Sequence, residues 1–334
     1  MWTGNGLTED AVRLFVDTPP NSPPHSPRAD KKAVGGGGSE TKAAALAAWQ
    51  SEIEKAVGEV YKGQGRGSEG VLDEGVEVLA ARQLVGVMLF VLIARRVRRQ
   101  VGHVGVAVNT CRTGPGGMIG NKGAVAVRVE LGHTNVVFVN THMAAHVKNV
   151  VHRNTEYQAI LDGLTLGGAP EPPRAGERVR EAMEGRRSPP AAHVLGHDHV
   201  VYMGDLNYRI DEMEGEEVAR CIEEGKLEEL LRHDQLMRER RRNKVVWGLE
   251  EAPINFNPTY KFCSDSDKYS DGGKGRVPAW TDRILFRGNG LRCVKYSACM
   301  SVVGSDHKPV VALLHLPVFL APTPEVFQAR QYES

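Results

Sequence analysis

The sequence predicts an α+β fold. Short β-branched segments and helical stretches come in clumps, not in the strict alternation that builds a doubly wound parallel sheet. The apolar runs are short and bounded by Gly or Asn, as strands are. The longest, Leu84 to Ala94, falls well below the ~20 residues that cross a bilayer. With 334 residues, 41% hydrophobic and 25% charged, the chain has a globular composition and length enough to bury a sizeable core.

The elements follow in order. Pro19, Pro20, Pro23, Pro24 and Pro27 mix with serines, and Gly35 to Gly38 follow, so residues 1–40 read as a disordered leader. Residues 41–62 carry Leu46, Trp49, Ile53, Val57 and Tyr61 at spacings of three or four, the period of a helix with one apolar face. Leu84 to Ala94 reads as a buried strand. Val104 to Val108, Ala124 to Val129 and Val136 to Val139 read as further strands. Residues 150–166 suit a helix, and the Pro-, Gly- and Arg-rich stretch 167–191 suits a surface loop. A short strand over Val200 to Met203 precedes helices over 214–224 and 227–242, divided by Gly225. A polar loop spans 263–276, and Arg283 to Phe286 and Val310 to Leu314 supply late strands. The expected organisation is one domain over 41–320 with a tail at 321–334.

Composition excludes some function classes. A formal net charge of +1 means that any pull on acidic partners comes from local clusters. The five cysteines form no Cys-x-x-Cys pair, so neither a disulfide framework nor a zinc site is expected, and a reducing compartment fits. The first 30 residues lack the apolar core of a secretory signal, and the terminal Gln331-Tyr332-Glu333-Ser334 carries no prenylation signal. The expectation is a cytoplasmic protein whose membrane contact is peripheral.

Residues that carry chemistry sit at the ends of the apolar strands. Gly204-Asp205-Leu206-Asn207 follows one strand, and in an extended segment Asp205 and Asn207 point to the same side. Such a pair can deprotonate a water and orient a phosphoryl oxygen, or simply close an Asx-turn. Ser305-Asp306-His307 precedes the last strand and offers a hard oxygen ligand beside a titratable imidazole, or a turn with a capping Asp. Asn140-Thr141-His142 ends another strand, and His142 serves equally as a phosphate donor or a structural histidine. His146 lies four residues on, but no Glu follows His142 as a zinc-protease helix requires. Asp282 stands at a strand entry, able to orient an imidazole or to form a surface pair with Arg283. Gly120-Asn121-Lys122-Gly123 presents a cation and backbone N–H groups in a turn.

Together these segments resemble the inositol polyphosphate 5-phosphatases. Gly204-Asp205-Leu206-Asn207-Tyr208-Arg209 and Arg276-Val277-Pro278-Ala279-Trp280-Thr281-Asp282-Arg283-Ile284-Leu285 are similar to that family's two signature motifs. Gly120 to Gly123, Asn140 to His142, Arg153-Asn154, Pro258 to Lys261 and Ser305 to Pro309 resemble further family blocks in the right order. The likeness runs over roughly residues 41–316. It implies the deoxyribonuclease I-like fold, a sandwich of two mixed sheets flanked by helices. It also implies magnesium-dependent removal of a 5-phosphate from phosphoinositides or soluble inositol polyphosphates. Asp205 would then activate water and Asn207 orient it. His307, held by Asp282, and His142 would donate to the phosphoryl oxygens, and Asp306 with Asp205 would face the metal. Tyr260, Lys261, Lys274 and Arg276 match positions that contact a 4-phosphate, and Asn121 and Lys122 match positions that face the 1-phosphate.

The sequence also departs from the family pattern. Members of the family open with a strand ending in Trp-Asn and a second ending in Gln-Glu, whose Asn and Glu complete the metal site. No Gln-Glu pair occurs in this chain. The expectation is therefore a fold lacking its first strands and a metal site lacking its Glu, with poor stability and low activity for the chain alone. Two other readings remain. A nuclease of the wider superfamily is disfavoured because the Tyr-Lys and Lys-x-Arg cations suit a compact polyphosphate, not a backbone track. A non-catalytic phosphoinositide-binding module, or a truncated gene product, is the alternative that the missing Glu motivates.

Overall fold

A computed structural model of the chain describes residues 12–16, 46–53, 55–56, 75–84, 86–101, 104–113, 122–167, 193–263, 265–270 and 277–319. Most of the expected leader, the insert and the tail lie outside these residues. The strands are β1 (Val12–Val16), β2 (Val76–Leu84), β3 (Val87–Ala94), β4 (Val104–Arg112), β5 (Gly123–Leu131), β6 (Thr134–His142), β7 (His199–Asp205), β8 (Asp282–Gly288), β9 (Arg292–Ala298) and β10 (Val310–His315). The helices are α1 (residues 46–53), α2 (Arg95–Val101), α3 (Val150–Gly163), α4 (Gly215–Glu223), α5 (Leu227–Arg232) and α6 (Gln235–Arg241).

The central sheet has the order β4-β5-β6-β7-β8, with β6 and β7 parallel and the other pairs antiparallel. From β5 to β8 both of its faces are buried, which is why those strands read as near-continuous apolar runs, whereas the edge strand β4 is half-exposed. Ala124, Ala126, Val137, Val139, Val200 and Tyr202 point to one face, where Tyr157, Ile160 and Leu161 of α3 cover them. Val125, Val127, Phe138, Val201, Ile284 and Phe286 point to the other, against Leu84, Leu89, Val310, Ala312 and Leu314. Each fully buried side chain of this kind stabilises by ~1.5–3 kcal/mol, so a slip of one residue is strongly disfavoured. The second layer contains the antiparallel sheet β1-β10-β9 and the β2–β3 hairpin. This is the sandwich flanked by helices that the resemblance implies.

The structure departs from the sequence reading in several places. Residues 12–16, read as leader, form β1, which pairs along one edge of β10. A strand therefore stands where the missing-strand expectation placed none. Leu84 to Ala94 is not one strand, because Leu84 ends β2 and Val87 begins β3 across a tight hairpin. The helix expected over 227–242 is two, because Asp234 starts a new one by accepting from the Met237 N–H at 2.9 Å. The helix expected over 150–166 ends at Gly163.

Register brings the chemistry together. Gly123 pairs with His142, His142 with Asp205, and Asp205 with Asp282, so four strands end in one row. Gly204, beside that row, has φ +121° and lies so close to β6 that a Cβ would sit 2.1 Å from the Thr141 carbonyl oxygen. An antiparallel bridge between Thr165 and His193 closes the base of the expected insert, and the Thr165 carbonyl accepts from the Asn109 amide of β4 at 2.7 Å.

Candidate active site

Asp205 is buried at the tip of β7, and its carboxylate is held from several sides. The Asn207 backbone N–H donates to Oδ1 at 3.0 Å and the Asn207 amide to Oδ2 at 2.9 Å. Asn207 takes a left-handed φ of 56°, which Asn tolerates, and its amide also donates to the Met143 carbonyl at 3.0 Å. His142 Nε2 lies 3.2 Å from Asp205 Oδ2 and also contacts the Lys122 ammonium. Burial alone would raise the Asp205 carboxyl. The His142 hydrogen bond and the charges of His307 and Arg209 outweigh it and hold the group at about 2. Burial lowers the Lys122 ammonium, against the pull of Asp205 and Glu156.

Across the row, Asp282 Oδ2 lies 2.7 Å from His307 Nδ1 and accepts from the Thr281 hydroxyl at 2.9 Å. Burial favours the neutral His307 ring, but Asp282, then Asp205 and Asp306, push its pKa up to about 10. His307 is therefore an imidazolium at neutral pH. Its ring lies 4.6 Å from that of Tyr260, and an antiparallel bridge pairs the two residues. Arg209 joins the halves of the site: it donates to Asn207 Oδ1 and its guanidinium sits 4.4 Å over the Tyr260 ring.

Lys261 Nζ lies 3.3 Å from Asp306 Oδ2. Asp306, expected to face a metal together with Asp205, is thus paired with a cation, and Asp205 is engaged by Asn207 and His142. Among the described residues no three His, Cys, Asp or Glu side chains converge as metal ligands. The donor set does not form a cation cage. With Lys122, Arg209, His307 and Lys261 close by, it suits a phosphate dianion. Of the residues read from the sequence, Lys122, His142, Asp205, Asn207, Tyr260, Lys261, Asp282, Asp306 and His307 line this region. Asn121, Lys274 and Arg276 lie outside the described residues.

The sequence reading gave no role to Arg209 or Thr281, nor to the supports behind them. Arg153, fully buried, donates to the carbonyls of Ala144 and His146 at 3.0 and 2.8 Å and to Gln235 Oε1 at 2.6 Å. Gln235 Oε1 also accepts from the Arg209 N–H at 3.1 Å. These bonds fix the segments that leave β6 and β7. The Arg153-Asn154 pair was a signal that could have pointed there.

The chain is similar to known proteins in both sequence and fold. Residues 33–313 match the family described as Endonuclease/Exonuclease/phosphatase family 2. The chain is 34% identical over 236 residues to the type II inositol 1,4,5-trisphosphate 5-phosphatase of Mus musculus, covering 71% of this chain and 22% of that protein. It is 37% identical over 238 residues to inositol-1,4,5-trisphosphate 5-phosphatase 1 of Schizosaccharomyces pombe, covering 71% of this chain and 20% of that protein. The chain thus spans about a fifth of these relatives' length. Its fold is similar to the inositol polyphosphate 5-phosphatase domain of SpSynaptojanin, solved with inositol (1,4)-bisphosphate and calcium. There the TM-score is 0.67 and the identity 32%, over 87% of this chain and 76% of that one.

Proposed function

The chain belongs to the inositol polyphosphate 5-phosphatases of endonuclease/exonuclease/phosphatase family 2, and from that premise we propose that it hydrolyses the 5-phosphate of phosphoinositides or soluble inositol polyphosphates. The observation that carries this reading is the row of strand ends that sets Asp205 beside His142 and opposite the Asp282–His307 pair. A water attacks phosphorus, the bond from phosphorus to the 5-oxygen breaks, and the inositol leaves with a proton gained at that oxygen. The transition state is loose, so the site's task is positioning and charge stabilisation. His307, fixed through Nδ1 by Asp282, donates from Nε2 to a phosphoryl oxygen. His142 and Lys122 meet a second. Asp205, held near 2 and hence a weak base, orients the water and takes its proton late. Asn207 keeps the carboxylate in place.

Lys261 and Tyr260 read a neighbouring 4-phosphate by charge and hydroxyl, and phosphatidylinositol 4,5-bisphosphate is the substrate that suits them. When the substrate is a lipid, the protein works as a peripheral visitor to the cytoplasmic membrane surface. The solved relative was crystallised with calcium, and the reading keeps a divalent cation, magnesium, as cofactor. Because the described donors form no cage for it, no step here is assigned to the ion.

The test is phosphate release from phosphatidylinositol 4,5-bisphosphate across a magnesium titration. Asp205→Asn is expected to cost ~10²–10⁴-fold in turnover while lipid binding survives. Lys261→Ala should weaken turnover of 4,5-bisphosphorylated substrates more than that of substrates lacking the 4-phosphate. Lipid binding by the parent protein with no phosphate release at any magnesium concentration would replace this reading with the non-catalytic binding module.

A further inference from the structure

We infer that Asp267 is a positioning residue for substrate recognition: its ion pair with the buried Lys308 latches the 260–270 hairpin, which carries Tyr260 and Lys261, onto the strand end that carries His307. The inference rests on the proposed function for its substrate class, but its geometry stands on other contacts.

Lys308 follows His307 and has no exposed side-chain surface, yet its ammonium donates to Asp267 Oδ1 at 2.7 Å and to the Val302 carbonyl at 2.6 Å. It also lies 4.8 Å over the Phe262 ring. The Asp267 side chain is 65% exposed. A cation with no solvent of its own thus finds its carboxylate at the exposed tip of a hairpin whose base is buried. Opening the hairpin strips a buried charge of its counter-ion, and that cost keeps the hairpin shut.

The hairpin transmits this hold to the site. Its arms are joined where Cys263 N–H donates to the Lys268 carbonyl and Ser270 N–H to the Lys261 carbonyl, both at 2.9 Å. The Phe262 and Tyr269 rings pack 4.3 Å apart between those arms. The base is laddered to the His307 segment, with Lys308 N–H donating to the Thr259 carbonyl at 2.8 Å and Phe262 N–H to the Asp306 carbonyl at 2.9 Å. Asp267 near the tip and Lys261 at the base are therefore parts of one stiff unit. The latch sets where the Lys261 ammonium stands relative to His307, and so how a 4-phosphate is met while the 5-phosphate reacts.

The experiment compares the parent with Asp267→Asn and Asp267→Glu, each first shown to unfold cooperatively. Asp267→Asn keeps a hydrogen-bond acceptor and loses the charge, whereas Asp267→Glu restores it. Calorimetric binding uses inositol 1,4-bisphosphate and inositol 1-phosphate, so it does not depend on turnover. Asp267→Asn is expected to weaken the bisphosphate about tenfold and the monophosphate less than about twofold, the pattern of one lost charge-assisted contact. Hydrogen exchange at the Phe262 and Ser270 amides should quicken in the same variant. With 4,5-bisphosphorylated substrate KM should rise with kcat nearly unchanged, and Asp267→Glu should recover most of the loss. Unchanged exchange, or equal weakening of both ligands, overturns the latch. Differential binding without turnover in the parent leaves the latch standing and overturns the proposed function instead.

Discussion

Asp282 and His307 illustrate how one carboxylate decides what its neighbour does. The imidazole is buried, which alone would leave it neutral, and the carboxylate 2.7 Å from Nδ1 reverses that preference. Asp282→Asn should therefore drop the His307 pKa from about 10 towards or below its ordinary value, read by NMR titration of the ring. Activity at neutral pH should fall at least ~10-fold with it, as expected for loss of a positioned acid. The same shift has a stability consequence. A raised folded-state pKa contributes stability that is complete below about 6.5 and is lost as pH rises through about 10. Asp205 acts with the opposite sign: its contribution is complete above about 4 and is lost as pH falls towards 2. The charged residues of the site were legible in the sequence because they sit in tight pairs at strand ends, as in Asp306-His307. Arg209 and Thr281 were not, since their local bonds to Asn207 and Asp282 gain meaning only when the fold sets Arg209 over the Tyr260 ring and Thr281 beside His307.

At the scale of elements, the row Gly123–His142–Asp205–Asp282 depends on close approach of β6 and β7. Gly204→Ala would set a Cβ 2.1 Å from the Thr141 carbonyl oxygen at a φ that alanine resists. The expected result is a loss of at least ~2 kcal/mol in denaturant unfolding, together with lower activity, because the two strand ends must part. A second prediction concerns the start of β8. Arg283, fully buried, donates to both oxygens of Asp234 at 3.1 Å and to Glu251 at 2.6 and 2.7 Å. Asp234→Ala removes one partner and the cap of α6, and should cost ~3–5 kcal/mol, measured by chemical unfolding. Strands buried on both faces, β5 to β8, were legible as apolar runs. β1 and β2 were missed for different reasons: β1 is five residues in a polar leader, and β2 is mostly half-buried, with exposed Glu77 and Arg82 and a bulge near Val78–Ala80 that breaks its alternation.

For the whole molecule, the two ends of the central sheet have different electrostatic characters. The site end gathers paired charges, whereas the far end buries His197 and His199, each with a ring nitrogen that has no partner among the described residues. Burial lowers both pKa values. A lowered histidine keeps its stability above the unfolded value near 6.5 and loses it as pH falls below that point. Since the His307 contribution is already complete there, thermal unfolding should show Tm falling between pH 6.5 and 5, by roughly 2–4 °C for each kcal/mol lost. A flat Tm across that interval would show that these rings are hydrated in solution. The sandwich as a whole was legible only through the family likeness, because pairing order is set by contacts between distant segments. The bridge between Thr165 and His193 gives the chain a place where new sequence can be spliced in. Its two ends are already fastened to each other, and doubling the length between them costs only ~0.6 kcal/mol of closure entropy. A fluorescent or affinity domain grafted between positions 168 and 192 would therefore ride on the protein as a passenger, reporting its whereabouts while leaving the row of strand ends in register.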